Sequence, residues 1–377
     1  MPFKAQYEQP PMGYALNTAL PNQDCEIIYK DFLSSENGLT LVRAQESLLS
    51  PLLALLPNQP KPHEINTLLA IYEPDSTVTI YCNELKPEIL VRAREGVSLG
   101  QAVNSKHIAA VEKVNLGVEI ENDKGFIFFF HFGWHAGLVF DFGPHAVKDY
   151  ARGTDLNVEL AHCYNRLICA SVSSMSEDDW TVLFGARWFP FIGLEESTIR
   201  ALIDWIRKGN DDRELATIFK ADLDRRLPEI KKLWYSSDLI KPHQSFLDTA
   251  LERYYAGDYI SANSILYPRI EGILRDLTTA TDNAGFRQKP LSRVGERNYQ
   301  HTYTSRVLPI RFGNYLEEVY FKDFKPSDPT HSLGRNTVSH GVADAREFDL
   351  KSVAIGFFVV EQILFHFPKV NTTPEDS

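Results

Sequence analysis

The side chains best suited to chemistry lie near the end of the sequence, in the string GRNTVSHG at residues 334–341. Arg335 keeps its positive charge and can grip phosphate oxygens with two donors, while His340 titrates near neutral pH and can act as a general base or acid. Cleavage of RNA without a metal ion needs such a pair, a base for the 2′-hydroxyl and a cation for the charged phosphorane. Because each helical residue turns by about 100°, Asn336 and His340 share a face and Arg335 lies at its edge. We therefore expect Asn336 to orient the imidazole or to hydrogen-bond the phosphate.

Helical patterns surround this string and must position it. Gln244–Asp258 has apolar residues at helical spacing, and Tyr259–Thr279 forms a second predicted helix that Pro268 should kink. The last predicted helix has Asp349 as its N-cap and is apolar on nearly every side apart from Glu361, which is typical of the centre of a bundle. The three helices predicted after the second one cover residues 308–320, 332–340 and 350–367.

With its neighbours, the string resembles the R-x(4–6)-H motif of the HEPN superfamily, which lies near the end of a helical domain. The segment ALERYYAGDYISANSILYPRIEGILRDL is similar to the first long helical pair of such domains, and the apolar closing helix fits as well. The resemblance covers the last third of the chain, roughly from Gln244 to Pro368. It implies an all-α HEPN-like helical bundle that acts as a metal-independent endoribonuclease, with no cofactor and no metal.

The resemblance also implies partners and a biological context. In this superfamily two protomers pair so that both motifs line one cleft, so the expected partners are RNA and a second copy of the chain in a homodimer. The expected products carry a 2′,3′-cyclic phosphate and a 5′-hydroxyl. Proteins of this kind often serve as toxins or in antiviral defence against phage, where an antitoxin or another regulatory protein restrains them.

Two other interpretations remain open for the same residues. The domain would be either a non-catalytic HEPN-like module for dimerisation, or for binding nucleic acid or a nucleotide, or a helical domain unrelated to the superfamily. Arg335 and His340 would then cap a short helix and tie it to an acidic neighbour. Glu271 is the acidic residue we expect nearest to the site, either restraining Arg335 or lying on a solvated helix face.

Charge is distributed unevenly along the chain. The net charge of −11 argues against a surface that coats nucleic acid, so any RNA contact must be local. Residues 1–237 hold 23 basic and 32 acidic residues, a net charge of −9, whereas residues 238–377 hold 16 and 18, a net charge of −2. Between Arg287 and Arg311, six basic residues accompany a single acidic one, for a net charge of +5, with aromatic residues among them. Basic and aromatic side chains together suit phosphate contact with base stacking, although a solvated loop or a dimer contact would have the same composition. The residues that we expect to bind substrate are Arg293, Arg297, Tyr303 and Arg306.

The first half of the chain has a different pattern. Strands are predicted over TLLAIY (67–72) and TVTIYC (77–82), and a hairpin or a pair of neighbouring strands over GFIFFFHF (125–132) and LVFDF (138–142). A helix is predicted over Asp155–Ser171, a strand-like run over TVLFGARWFPFIG (181–193), and several helices over 195–235. We therefore predict three regions: an α+β or α/β domain of unknown role over residues 1–194, a helical connector over 195–240, and the HEPN-like domain over 241–370.

Several classes of protein lack support in this sequence. It has no GxGxxG, Walker A, GxSxG or HExxH string. His131, His135 and His145 with Asp141 could suggest a metal site, but glycines interrupt their spacing and packing is the simpler interpretation. The N-terminus lacks the apolar core of a secretory signal and no run is long enough to span a membrane, so we expect a cytoplasmic protein. The cysteines are too scattered for a disulfide framework, and we expect free buried thiols at Cys25, Cys82, Cys163 and Cys169.

Overall fold

The computed structural model describes residues 2–7, 10–209, 212–281, 291–293, 305–324 and 333–366. They form two compact units, one of Met1–Arg92 and Val111–Ala170 and the other of Ala93–Ala110 and Ser171–Ser377. This division differs from the predicted boundaries at 194 and 240, because aromatic residues between 180 and 191 belong to the same core as the later helices. No helix in the described ranges is long and apolar enough to cross a membrane.

The first unit contains most of the strands. The strands, in chain order, are β1 (Phe3–Gln6), β2 (Tyr14–Ala15), β3 (Ile27–Ile28), β4 (Lys30–Ser34), β5 (Thr67–Tyr72), β6 (Thr77–Cys82), β7 (Glu88–Ala93), β8 (Ile108–Asn115), β9 (Gly125–Phe132) and β10 (His135–Asp141). Six of them form one sheet in the order β1-β6-β5-β9-β10-β4, and every pairing in it is antiparallel. β2 pairs with β3 and β7 with β8 in two small sheets, and the chain passes between the units within β7 and β8. The helices of this unit are α1 (Leu39–Ala44), a π-helical turn (Gln45–Leu49), α2 (Ser50–Leu55), α3 (Gly143–Ala146) and α4 (Leu156–Ile168).

The strands predicted over 67–72, 77–82, 125–132 and 138–142 are confirmed with small shifts in their ends, and the antiparallel pairing favours α+β over α/β. Residues at alternating positions of β5 and β9, such as Leu68 and Phe129, share one core with α1 and α2. On the opposite face, Phe130 stacks on Tyr164 of α4, with the ring centroids 4.2 Å apart. Because helices cover both faces, β9 is apolar almost without interruption, a pattern more common in parallel sheets.

The second unit is helical. Its helices are α5 (Ala170–Ser173), α6 (Glu177–Gly185), α7 (Glu196–Lys208), α8 (Asp212–Ser236), α9 (Gln244–Tyr255), α10 (Tyr259–Thr281), α11 (Pro309–Tyr315), a π-helical turn (Leu316–Tyr320), α12 (Arg335–Ser339) and α13 (Leu350–Leu364). The predicted helices are confirmed with small shifts in their ends, and Asp349 is the N-cap of α13. The strand predicted over 181–193 is wrong. Its first residues complete α6, whose N-cap Ser176 accepts a hydrogen bond from the backbone N–H of Asp179, and the rest is irregular.

The centre of the helical unit contains an ion pair. α13 packs between α8 and α10, and its residues 351–363 are all buried. Among them, Glu361 accepts hydrogen bonds from Arg226 of α8, whose Nε lies 3.1 Å from Oε1, and Arg226 also reaches Glu95 at 3.1 Å. Nearby, burial, followed by the charges of Arg226 and Arg306, lowers the pKa of Arg94 to about 10. A buried carboxylate that would be costly alone is thus offset by cations from two other segments.

Removal of one member of this pair is expected to be far more damaging than removal of both. Glu361→Leu should lower the free energy of unfolding by about 3–5 kcal/mol because it leaves Arg226 buried with less compensation, and adding Arg226→Met should recover most of that loss. Urea unfolding followed by tryptophan fluorescence measures this unit, since it holds Trp180, Trp188, Trp205 and Trp234. Lys232→Ala, which removes an exposed ion pair with Glu229, is the control and should change stability by less than about 1 kcal/mol. A Glu361→Leu cost no larger than that of the control would contradict this account.

Candidate functional site

The motif lies on α12, a helix of five residues that packs against α10. Gly334 precedes it in an extended conformation, and its N–H donates to Thr337 Oγ1 at 2.9 Å, which closes the first turn. A Cβ atom at position 334 would lie 3.3 Å from the carbonyl oxygens of Val319 and Tyr320. The lack of a side chain at this glycine therefore lets the motif helix lie directly against the backbone of the preceding segment.

Asn336 holds the motif helix to that segment. Its side chain is buried, and Nδ2 donates to the carbonyl oxygens of Phe321 at 3.0 Å and Lys322 at 3.3 Å. Its Oδ1 accepts a hydrogen bond from Arg335 Nη1 at 3.1 Å. Asn336 was predicted to orient the imidazole or bind phosphate. In its observed position it instead anchors residues 321 and 322 and steadies the guanidinium of Arg335.

Glu271 is the main contact of Arg335. This carboxylate is only 4% exposed on α10, and it forms ion pairs with Arg335 and, one turn along the same helix, with Arg275. The side chains of the two arginines remain 24% and 32% exposed, so the pair of cations reaches solution on one side while the carboxylate is enclosed. Beside them, burial and then the charge of Glu271 raise the pKa of Tyr320, which therefore stays protonated and donates to the carbonyl oxygen of Tyr267.

His340 is exposed at the C-terminal end of α12. Its backbone N–H donates to the carbonyl oxygen of Asn336 at 3.1 Å, and its ring lies 5.5 Å from the ring of Phe324, centroid to centroid. No carboxylate among the described residues pairs with this imidazole. His340 lies five positions after Arg335, which corresponds to about 7.5 Å along the helix axis, a distance that side chains can reduce. The site thus offers a restrained cation and an accessible imidazole at opposite ends of one short helix.

Neither of the two described residues that were predicted to bind substrate, Arg293 and Arg306, has a recorded contact with this helix. Arg293 donates to Asn314 Oδ1 at 2.8 Å and pairs with Glu317 at 2.7 Å, next to the π-helical turn. Arg306 is 7% exposed and pairs with Glu196 at 3.3 Å, which leaves little of it to reach a substrate. Arg297 and Tyr303 lie outside the described residues. The basic composition of this stretch is therefore used, in its described part, for contacts within the unit.

Four charged residues near the motif were not predicted from the sequence: Arg275, and the group of Arg187, Lys322 and Lys351. Arg275 could have been identified, because Glu271 and Arg275 have the i, i+4 spacing of helical ion pairs. Arg187, Lys322 and Lys351 could not have been identified as a set, since they come from three separate segments that meet around one cleft.

The other groups considered from the sequence do not form a second centre. Among the described residues, no group of three or more His, Cys, Asp or Glu side chains is placed to hold a metal ion. His135 pairs with Glu36 at 2.8 Å, and burial lowers the pKa of His145. Burial also raises the pKa of the Cys163 thiol to about 12, which disfavours the reactive thiolate. None of the four cysteines, all within the described residues, forms a disulfide, as expected, although Cys25 is exposed and Cys82 only half-buried.

The position of Gly334 leads to a stability prediction. Gly334→Ala should destabilise the helical unit by about 1–3 kcal/mol, because its methyl group would lie 3.3 Å from two backbone oxygens, and the motif helix or residues 319–320 would have to shift by a few tenths of an ångström. Gly185→Ala is the matched control, since a Cβ there meets nothing within 4 Å and alanine favours the helix. Urea unfolding followed by tryptophan fluorescence compares the two. Equal midpoints for both variants would mean that the motif helix does not lie so close to residues 319 and 320.

No protein-family model, curated protein or solved structure matches the chain. The chemistry of the site therefore follows from its own residues and their contacts.

Proposed function

We propose that the second unit is a HEPN-type endoribonuclease that cleaves RNA without a metal ion, through Arg335 and His340. The observation that carries the proposal is the combination of a guanidinium restrained by a buried carboxylate with an exposed imidazole on the same short helix. The sequence resemblance of GRNTVSHG and its flanking helices to the superfamily supports the same function. The helical bundle around α10 and α13 is compatible with it.

In the proposed reaction His340 removes the proton from the ribose 2′-hydroxyl of the substrate. The 2′-oxygen then attacks the adjacent phosphorus and the bond from phosphorus to the 5′-oxygen breaks. The products are a 2′,3′-cyclic phosphate and a 5′-hydroxyl, and the leaving oxygen receives a proton from a second acid. Arg335 stabilises the additional negative charge on the phosphorane, the state in which a fixed cation contributes most.

The supply of the second acid suggests a homodimer. His340 is exposed and has no acid or base partner among the described residues of its own chain. We propose that a second copy contributes its own His340, so that one imidazole acts as the base and the other as the acid. A homodimeric ribonuclease of this kind would fit a cytoplasmic toxin or anti-phage effector restrained by an antitoxin or regulatory protein.

The surrounding contacts give Glu271, Asn336 and Arg275 supporting roles. Glu271 and Asn336 fix the guanidinium of Arg335 before substrate arrives, which lowers the reorganisation needed in the transition state. The second guanidinium, that of Arg275, offsets the negative charge of Glu271 and leaves the cluster with a net positive charge of one.

The competing function is a non-catalytic binding or dimerisation module. The same Arg335–Glu271 ion pair favours it to some degree, because a buried pair can serve only to fix a helix. That reading gives His340 no role, since the imidazole is exposed and forms no ion pair within the described part of the chain.

Cleavage of RNA in EDTA by substituted proteins tests the proposal. His340→Ala and Arg335→Ala should each lower the cleavage rate of a short single-stranded RNA by about 100-fold or more, the usual contribution of a general base or a transition-state cation. Arg207→Ala, which removes an exposed arginine at the end of α7, should cleave like the wild type. His340→Ala should also keep the wild-type thermal midpoint and dimer mass, because exposed side chains contribute within about 0.5 kcal/mol.

Two outcomes would decide against the proposal. Intact RNA with the wild-type dimer would favour the non-catalytic module. Cleavage that persists at the same rate in both substituted proteins would place the activity at another site or in a contaminant.

A further inference from the structure

A cleft of about 300 Å³ opens next to the segment that holds the motif helix. Val319 and Lys322 line this cleft, and the backbone of the same segment contacts Gly334 and Asn336. The cleft and the Arg335 site therefore share one stretch of backbone.

The walls of the cleft carry three cations and two carboxylates. The cations are Arg187, Lys322 and Lys351, the carboxylates are Glu318 and Glu347, and Phe184 contributes apolar surface. Small-molecule sites usually measure about 300–1,000 Å³ and fix their ligands through a few convergent polar groups, and this cleft is more strongly charged than most of them. The volume observed here suits a single nucleotide.

The three cations are held to different degrees. Lys351 is 8% exposed and bound to Asp212 at 2.5 Å, and burial, partly offset by Asp212, lowers its pKa. Arg187 Nη2 lies 2.9 Å from Glu347, and its Nη1 donates to the carbonyl oxygen of Leu333 at 3.4 Å, two residues before Arg335. Lys322 is exposed and has no ion-pair partner among the described residues. A positive charge is therefore available in the cleft at Lys322, next to one that Arg187 shares with Glu347.

The backbone of Arg187 adopts a conformation that is unusual for a residue other than glycine. Its φ of +63° places it in the left-handed region, at the end of α6, where glycine is the usual residue. The hydroxyl of Tyr315 fixes this backbone by donating to the Arg187 carbonyl oxygen at 2.9 Å. Glycine would adopt this backbone conformation at a lower cost than arginine. We therefore infer that the side chain of Arg187 has a role of its own at this position.

We propose that this cleft binds the RNA strand beside the cleaved bond, with Lys322 and Arg187 contacting a phosphate and Glu318 accepting a hydrogen bond from a ribose hydroxyl. This assignment rests on the proposed ribonuclease function and adds a substrate-binding subsite to it. A point charge on an exposed lysine suits phosphate, and a carboxylate acceptor suits the 2′-hydroxyl that distinguishes RNA from DNA.

Binding of a fluorescent single-stranded RNA to the full-length His340→Ala protein, measured by anisotropy in EDTA, tests the subsite. Adding Lys322→Ala should weaken binding by roughly three- to tenfold and should reduce the salt dependence by about one counterion, as expected for one lost phosphate contact. Adding Arg187→Gly should also weaken binding and should change the thermal midpoint little, because the ease with which glycine adopts the left-handed backbone offsets the lost contacts with Glu347 and Leu333. Adding Lys232→Ala, an exposed lysine of α8 outside the cleft, should leave the affinity unchanged. A DNA of the same sequence should bind more weakly than the RNA.

The outcomes separate the subsite from the enzyme. If Lys322→Ala behaves like Lys232→Ala while the wild type cleaves RNA, the subsite is wrong and the ribonuclease stands. A lower thermal midpoint for Arg187→Gly with unchanged RNA affinity would assign Arg187 a purely structural role and would overturn its part in the subsite. Equal affinity for RNA and DNA would overturn the ribose contact of Glu318. A wild-type protein that neither binds nor cleaves RNA would remove the proposed function and the subsite with it.

Discussion

The carboxylate of Glu271 is buried inside the helical unit, where a negative charge without partners would cost several kcal/mol. It is stabilised from two sides, by Arg275 on its own helix and by Arg335 on the motif helix. Because α12 has only five residues, it cannot hold its own position through backbone hydrogen bonds alone. The ion pair to Glu271, with the hydrogen bonds of Asn336, therefore fixes where α12 lies and where His340 emerges from it.

The surroundings of Glu271 must be rigid for this constraint to be useful. α10 lies between α9 and α13, and α13 is buried along its whole central length with its own charge, Glu361, paired to Arg226. Contacts at Gly334 and Asn336 then connect the motif to residues 319–322, which also form one wall of the cationic cleft. A guanidinium restrained before substrate binds, with an accessible imidazole beyond it, is the preorganised arrangement that the proposed reaction requires.

The sequence predicted elements better than it predicted contacts. The strands at 67–72 and 77–82 are where strand-forming residues bounded by turn residues predicted them. The long helices are where apolar residues recur at helical spacing, because one face of such a helix is buried. The strand predicted over 181–193 was wrong because the aromatic residues of this run are buried among helices and not in a sheet. The basic composition around Arg306 suggested substrate contact, but Arg306 pairs with Glu196. Glu196 lies 110 positions away, so this contact cannot be predicted from spacing along the chain. The meeting of Arg187, Lys322 and Lys351 depends on the tertiary fold for the same reason.

The identity of the ends left on cleaved RNA tests the central claim most directly. A short RNA with one defined cleavage site would be incubated with the protein in EDTA, and its products would be weighed by mass spectrometry beside the same RNA carrying a 2′-deoxy sugar at that site. A base and a fixed cation acting without metal predict a 2′,3′-cyclic phosphate on one product, a 5′-hydroxyl on the other, and no cleavage of the 2′-deoxy substrate. Products with a 5′-phosphate and a 3′-hydroxyl, or cleavage of the 2′-deoxy substrate, would contradict the account.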